Sequence, residues 1–148
     1  MGTASLVRRA TLADAAAVSR LASEWGYPSS EDVVWLRLQR LIASPEHIAL
    51  VAQVNDIIAG WATGEVRLSI ASDPRVEITG LVVATASRRF GIGRALVAQL
   101  ERWALERRIC DLFLRSNVAR PEAHSFYERL GYERTKTQHA YKKVLHAA

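Results

Sequence analysis

Arg88-Arg89-Phe90-Gly91-Ile92-Gly93-Arg94-Ala95-Leu96 is the stretch around which the chain is built. It joins an apolar strand pattern, Val76 to Val83, to an amphipathic helix pattern running from Ile92 to about Arg107, with Ile92, Leu96, Leu100, Trp103 and Ala104 on one face. Glycines permit a tight turn and a close backbone approach to a ligand. The first turn of a helix leaves N–H groups without intrahelical partners, and the helix dipole adds roughly half a positive charge there. With Arg88, Arg89 and Arg94 around it, this turn predicts a site for a phosphate-bearing ligand. It matches neither common nucleotide loop, having no Gly-Lys-Ser/Thr and no third glycine in dinucleotide spacing. On the two glycines alone, a plain strand-to-helix turn explains it equally well.

Outward from that stretch, the pattern alternates between the two periods of regular structure. Leu6-Val7-Arg8-Arg9 reads as a short strand, and Thr11 with Asp14 three residues later has the form of a capping box. Val18, Leu21, Ala22 and Trp25 then mark a helix face that Gly26 ends. Ser29 or Ser30 caps a second helix whose inner stripe is Val34, Leu38, Leu41 and Ile42. Ile48–Val54 and Ile57–Val66 read as a hairpin turned by Asn55-Asp56. After the central helix come a strand at Asp111–Ser116, a helix opened by Pro121 and closed by Gly131, and two final strands near Tyr132–Lys136 and Gln138–Val144. The order β-α-α-β-β-β-α-β-α-β-β predicts a single α/β domain over residues 1–148 with a mixed sheet.

Composition narrows the class. With 49% hydrophobic and 24% charged residues in 148, the chain reads as one globular domain, and no apolar run approaches the roughly 20 residues a membrane span needs. A start without a signal-peptide core predicts a cytoplasmic protein. The lone Cys110 cannot form an internal disulfide and is expected to be a small buried apolar residue. Much of the net charge of +5 lies at Arg88, Arg89, Arg94, Arg102, Arg107 and Arg108, which suits a polyphosphate cofactor. There is no basic tail or lysine block, so neither nucleic acid nor a membrane is the expected partner. The four histidines have no metal-ligand spacing, and no metal is expected.

Arg88-Arg89-Phe90-Gly91-Ile92-Gly93 resembles the acyl-CoA signature Gln/Arg-x-x-Gly-x-Gly/Ala of the GNAT superfamily of N-acyltransferases. The resemblance continues through Asn117 and through Phe126-Tyr127-Glu128-Arg129-Leu130-Gly131-Tyr132. It implies the α/β GNAT fold: four helices and a mixed sheet of about seven strands, splayed between the fourth strand (Val76–Val83) and the fifth (Asp111–Ser116). It also implies acetyl-CoA (coenzyme A) as cofactor. The backbone of Leu81, Val82 and Val83 would pair with the pantetheine arm, and a bulge near Gly80–Val82 would free an N–H for the thioester oxygen. Arg88, Arg89, Phe90, Gly91, Ile92, Gly93 and Arg94 would cradle the pyrophosphate, with Asn117 and Tyr127 as further cofactor contacts.

By the same resemblance, Tyr127 is the general acid that protonates the departing thiolate, a task suited to a phenol of pKa about 10. Read without the family, it packs on a helix stripe with Phe126 and Leu130. Glu77 stands eleven positions before Arg88, the spacing of the base glutamate in histone acetyltransferases of this superfamily. The residue itself leaves three readings open: general base, binder of a cationic acceptor, or solvated strand-end acid. Glu24, Trp25 and Tyr27, between the first two helices, suit a cationic amine or serve as surface residues. The implied activity is acetyl transfer to a primary amine of a small molecule, of the aminoglycoside, polyamine or amino-acid kind, or of a protein. The alternative is a module that binds CoA without turnover or nucleic acid through its basic face. An exposed sheet edge near the C-terminus offers a surface for a homodimer.

Overall fold

Five strands and four α-helices form among the described residues of a computed structural model, which describes residues 5–88, 90–116, 118 and 121–147. Strands β1 (Ser5–Arg9), β2 (His47–Val54), β3 (Ile57–Arg67), β4 (Arg75–Val83) and β5 (Leu112–Leu114) lie in that order in one sheet. All pairs are antiparallel except β4–β5, which is parallel. This sheet, with helices α1 (Ala15–Glu24), α2 (Glu31–Ala43) and α3 (Ile92–Glu106), belongs to a compact unit ending at Arg115. A second unit begins at Ser116 and holds helix α4 (Pro121–Arg129).

Local chemistry accounts for most boundaries. Asn55 and Asp56 take φ of +48° and +66°, the left-handed pair that a two-residue hairpin turn requires, and they join β2 to β3. Ser30 caps α2 by accepting from Val33 N–H at 3.3 Å. Ahead of α1, Thr11 N–H donates to Asp14 Oδ2 at 2.8 Å, and Arg8 from β1 donates to both Asp14 oxygens at 2.8 and 2.9 Å. One buried carboxylate thereby ties the first strand to the first helix.

The two faces of the sheet are covered by different helices. Buried residues of α1 and α2, among them Val18, Val34 and Leu38, pack with Ala49, Val51 and Trp61 on one face. On the other, Ile92, Leu96 and Leu100 of α3 lie against the glycines of β3. A Cβ at Gly60 would come within 3.2 Å of Ile92 and Leu96, and one at Gly64 within 3.2 Å of Leu100. The absent side chains let α3 lie close to the sheet. Residues of β3 therefore sort by alternation: Gly60, Ala62 and Gly64 towards α3, and Trp61, Thr63 and Glu65 towards the other face.

Several expectations need correction. Residues 132–147 carry no strand, so the sheet has five strands rather than about seven, and the expected C-terminal sheet edge for a homodimer is not formed among the described residues. Residues 133–147 are exposed throughout and mix Lys, Thr, Gln and His, so neither face of such a strand would bury an apolar set. The fifth strand spans three residues, not six. Cys110 is exposed, because Ile109 takes the buried position beside it. Ile42 also faces solvent, leaving Val34 and Leu38 as the buried residues of α2.

The hydrogen bond from Arg8 holds the Asp14 carboxyl below its ordinary value of 3.8, against the opposing effect of burial, and Thr11 N–H adds to it. A depressed carboxyl stabilises the fold above its unfolded-state pKa and loses that contribution as pH falls through its folded value. Asp14→Asn is expected to lower stability by about 1–3 kcal/mol at pH 7. In urea denaturation, the gap between variant and wild type should close as the solution is taken below about pH 4. A gap of constant size would show that the ion pair is not its source.

Candidate functional site

Among the described residues, β4 is hydrogen-bonded along its full length on one side only. Its ladder with β3 extends from Arg75 to Val83, whereas its pairing with β5 covers only Val76, Ile78 and the residue between them. Beyond Ile78 the β4 edge has no β5 partner, so the sheet opens where the sequence places its splay. Ala84 N–H donates to Ala59 O at 2.7 Å, which fixes the alternation: Val82 turns its backbone polar groups towards β3, and Leu81 and Val83 turn theirs to the open edge. Of the three residues expected to pair with a pantetheine arm, Leu81 and Val83 face the opening and Val82 does not. The Val83 carbonyl accepts from Trp25 Nε1 at 2.9 Å, leaving Leu81 N–H, Leu81 C=O and Val83 N–H directed at the edge.

The bulge lies one residue earlier than expected. Thr63 pairs with Gly80 and Gly64 with Ile78, so Thr79 is the inserted residue. Its hydroxyl donates to Thr63 Oγ1 at 2.8 Å. Gly80 follows because there is no room for a side chain: a Cβ there would stand 2.7 Å from the Trp61 ring.

After β4 the chain makes one 3-10 turn, Thr85–Ser87, and enters α3 through Gly91. Gly91 takes φ of +76°, in the left-handed region that favours glycine, and gives the first turn of α3 no side-chain cap. That turn contains Gly93 and Arg94 and no acid. Uncapped N–H groups, the positive end of a 15-residue helix dipole and the exposed Arg88 and Arg94 make this an anion site that fits a pyrophosphate. Phe90 is exposed beside it and Ile92 is buried under α3. Arg89 and Asn117, both expected cofactor contacts, lie outside the described residues.

Glu24 and Trp25, expected on the acceptor side, both contact this loop. Glu24 Oε1 accepts from Thr85 N–H at 2.9 Å, and that bond is the main reason its carboxyl is held below the usual value. Trp25 bonds Val83, and the Arg88 guanidinium stacks 4.3 Å from its ring centroid. The end of α1 thus grips both ends of the turn that follows β4. Tyr27 alone of the three lines a cavity of about 260 Å³ between α1, α2 and the sheet, together with Ala22, Leu38, Trp61 and Thr63. Two of its lining residues also touch the β4 bulge, Thr63 through the Thr79 hydroxyl and Trp61 through its ring against Gly80.

Glu77 is buried, at 4% exposure, which removes the solvated strand-end reading. It pairs across the ladder with Glu65 and shares the sheet face of Thr63 and Thr79. Two arginines match its charge. Arg115, just past β5, donates from Nε and Nη2 to Glu77 Oε2 at 3.2 and 3.0 Å, and Arg67 Nη1 lies 3.5 Å from Oε1. That last contact is not aligned as a hydrogen bond, and Glu77 Oε1 is a buried oxygen with no hydrogen-bond partner among the described residues. Arg67 also reaches Glu65, whose other oxygen is 3.0 Å from His47 Nε2.

Tyr127 lies on α4 in the second unit. Its ring meets those of Phe126 and Tyr132 edge-on, with centroids 5.1 and 5.9 Å apart. Burial pushes its phenol up to about 12, so the hydroxyl stays protonated throughout the neutral range. Sequence reasoning missed Trp61, Thr63, Arg67 and Arg115. The alternation of β3 carries a weak signal for the first two, since Trp61 and Thr63 share a face with Glu65.

The sequence pattern described as "Acetyltransferase (GNAT) family" matches residues 15–132. An aminoglycoside N(6′)-acetyltransferase type 1 of Stenotrophomonas maltophilia is 28% identical over 142 residues, covering 92% of this chain and 91% of that protein. The enzyme of the same description from Serratia marcescens is 25% identical over 113 residues, 73% of this chain and 77% of its own. Among solved structures, an aminoglycoside N-acetyltransferase in complex with CoA superposes with a TM-score of 0.86 at 16% identity, covering 97% of each chain.

Gly91→Val tests the loop. Forcing a β-branched residue to φ of +76° should lower stability by about 1–3 kcal/mol. The same change should abolish the thermal shift produced by acetyl-CoA, because it displaces the first N–H groups of α3. A destabilised variant that keeps the full shift would take the α3 N-terminus out of the binding site.

Proposed function

We propose, since the chain belongs to the acetyltransferase (GNAT) family, that it acetylates a primary amine of a cationic small molecule of the aminoglycoside class. The observation that carries the reaction is the β4 edge, open beyond Ile78 and continuous with the uncapped start of α3. Such an edge takes an extended amide-bearing arm as it would another strand, while the helix start takes the phosphates. Residues 15–132 span both compact units, which supports one acetyltransferase domain. The acceptor class rests on the two aminoglycoside acetyltransferases that resemble the chain over most of its length.

Acetyl-CoA supplies the acyl group as a thioester: a C–N bond forms to the amine, the C–S bond breaks, and a proton passes from the nitrogen to the sulfur side. Arg88 and Arg94, with Arg89, would hold the phosphates, and Phe90, Gly91, Ile92 and Gly93 supply the backbone that approaches them. Leu81 and Val83 would orient the pantetheine amides, with Asn117 as a further contact, which would bring the thioester towards the bulge at Thr79–Gly80. Trp25 and Glu24 hold that frame, and Tyr27 with Trp61 forms the acceptor's apolar wall.

Distance separates the possible roles of Glu77. Three residues of strand from Glu77 to Gly80 put roughly 10 Å between their Cα atoms, more than the Glu77 side chain spans. Direct proton abstraction needs about 3 Å. Glu77 is therefore better suited to holding an ammonium group of the acceptor, or to acting through water, than to deprotonating the attacking amine itself. Tyr127, protonated at every working pH, is the proton donor to the thiolate.

Thiol release should be seen with acetyl-CoA and neamine, and should disappear with aminoglycosides carrying a hydroxyl at the 6′ position. Turnover confined to peptide amines would overturn the acceptor class. Tyr127→Phe should reduce kcat on the order of 10²-fold with little change in acetyl-CoA affinity. In the wild type, no alkaline fall in rate below about pH 10 should trace to this residue.

A further inference from the structure

We propose that Arg115 is a positioning residue for the acceptor: it fixes Glu77 by one oxygen so that the other, Oε1, is presented to an ammonium group of the substrate. The inference rests on the reading of the chain as an acetyltransferase for a cationic amine. Glu77 and Glu65 stand directly opposite each other on β4 and β3, an arrangement that is unfavourable for like charges unless cations lie between or beside them. Arg67 supplies one cation, reaching Glu65 at 3.3 Å and Glu77 at 3.5 Å. Arg115 supplies the other, and its place in the fold is specific. The β4–β5 register ends at Ile78 and Leu114, and Arg115 is the next residue, where the two strands part. From that fork its side chain turns back and delivers both Nε and Nη2 to the same oxygen, Oε2.

The asymmetry of the carboxylate is the informative feature. Oε2 takes two charge-assisted hydrogen bonds, whereas Oε1 is buried and takes none among the described residues. A buried acceptor left without a donor is unfavourable; Arg67 Nη1 at 3.5 Å supplies charge to Oε1 but no aligned N–H, and a protonated amine supplies three N–H donors. Arg115 itself is 67% exposed in its side chain, and so exposed a partner adds little to fold stability. Its consequence is orientational, since a planar guanidinium bonded through two nitrogens restrains the carboxylate more than a point charge does.

The experiment is steady-state kinetics with neamine and acetyl-CoA for wild type, Arg115→Met, Arg115→Lys, Glu77→Gln and the Glu77→Gln/Arg115→Met pair, with the acetyl-CoA thermal shift as a check of folding and cofactor binding. Arg115→Met should raise the acceptor KM about tenfold with kcat within about threefold and an undiminished acetyl-CoA shift, and Arg115→Lys should recover part of the loss. In the Glu77→Gln background, Arg115→Met should raise KM no further, because Arg115 acts through Glu77. If Arg115→Met alone folds poorly, Arg115→Lys supplies the single-variant comparison, and an acceptor KM unchanged in it overturns the inference. An unchanged acceptor KM in Arg115→Met, or a full Arg115→Met effect in the Glu77→Gln background, overturns the inference and leaves the acetyltransferase reading standing. A wild type without turnover on any amine overturns that reading, and this inference with it.

Discussion

β4 must satisfy its backbone on one side with β3 and, past Ile78, on the other side with something that is not β5. The rest of the first unit is arranged around that constraint. β5 ends after three residues, α3 starts where the open edge ends, and the tail of α1 holds the turn between them through Trp25 and Glu24. A fully paired β4 would be a better sheet and would have no place for an amide-bearing cofactor. Leu81 N–H and C=O and Val83 N–H face that open edge, while the Val83 carbonyl is taken by Trp25.

That opening is held from both faces of the sheet. On one, α3 lies tight against the side-chain-free surface of Gly60, Ala62 and Gly64, which sets where the helix N-terminus stands. On the other, α1 and α2 pack over Ala49, Val51 and Trp61, leaving a cavity lined in part by Thr63, the hydrogen-bond partner of Thr79 in the bulge. The acids Glu65 and Glu77, neutralised by Arg67 and Arg115, continue that same face past the bulge.

The charge of the protein takes its meaning from this geometry. A net charge of +5 does not by itself distinguish a polyphosphate cofactor from nucleic acid. Arg88 and Arg94 beside an uncapped helix start describe a local anion site. Arg67 and Arg115, by contrast, offset the buried carboxylate of Glu77, so part of the basic excess has a partner inside the protein.

Short-range chemistry was written in the sequence. The capping acid Asp14, the cap at Ser30, the Asn55-Asp56 turn, the left-handed Gly91 and the buried stripe of α3 each follow from residues a few positions apart, because the forces that set them act within one turn or one hairpin. The motif around Gly91 also carried the family. What depends on partners distant in sequence was not legible. The bulge fell at Thr79 rather than in Gly80–Val82, because its position is set by register against β3 and by the Trp61 ring. The bonds of Glu24 and Trp25 to Thr85 N–H and the Val83 carbonyl join residues about 60 positions apart, which no local pattern announces. The C-terminal residues formed no strand, since they offer no apolar face to bury. The grip of Arg115 on Glu77 exists only because β4 and β5 part at that residue, a fact of tertiary structure for which the spacing of the two residues along the chain gives no sign.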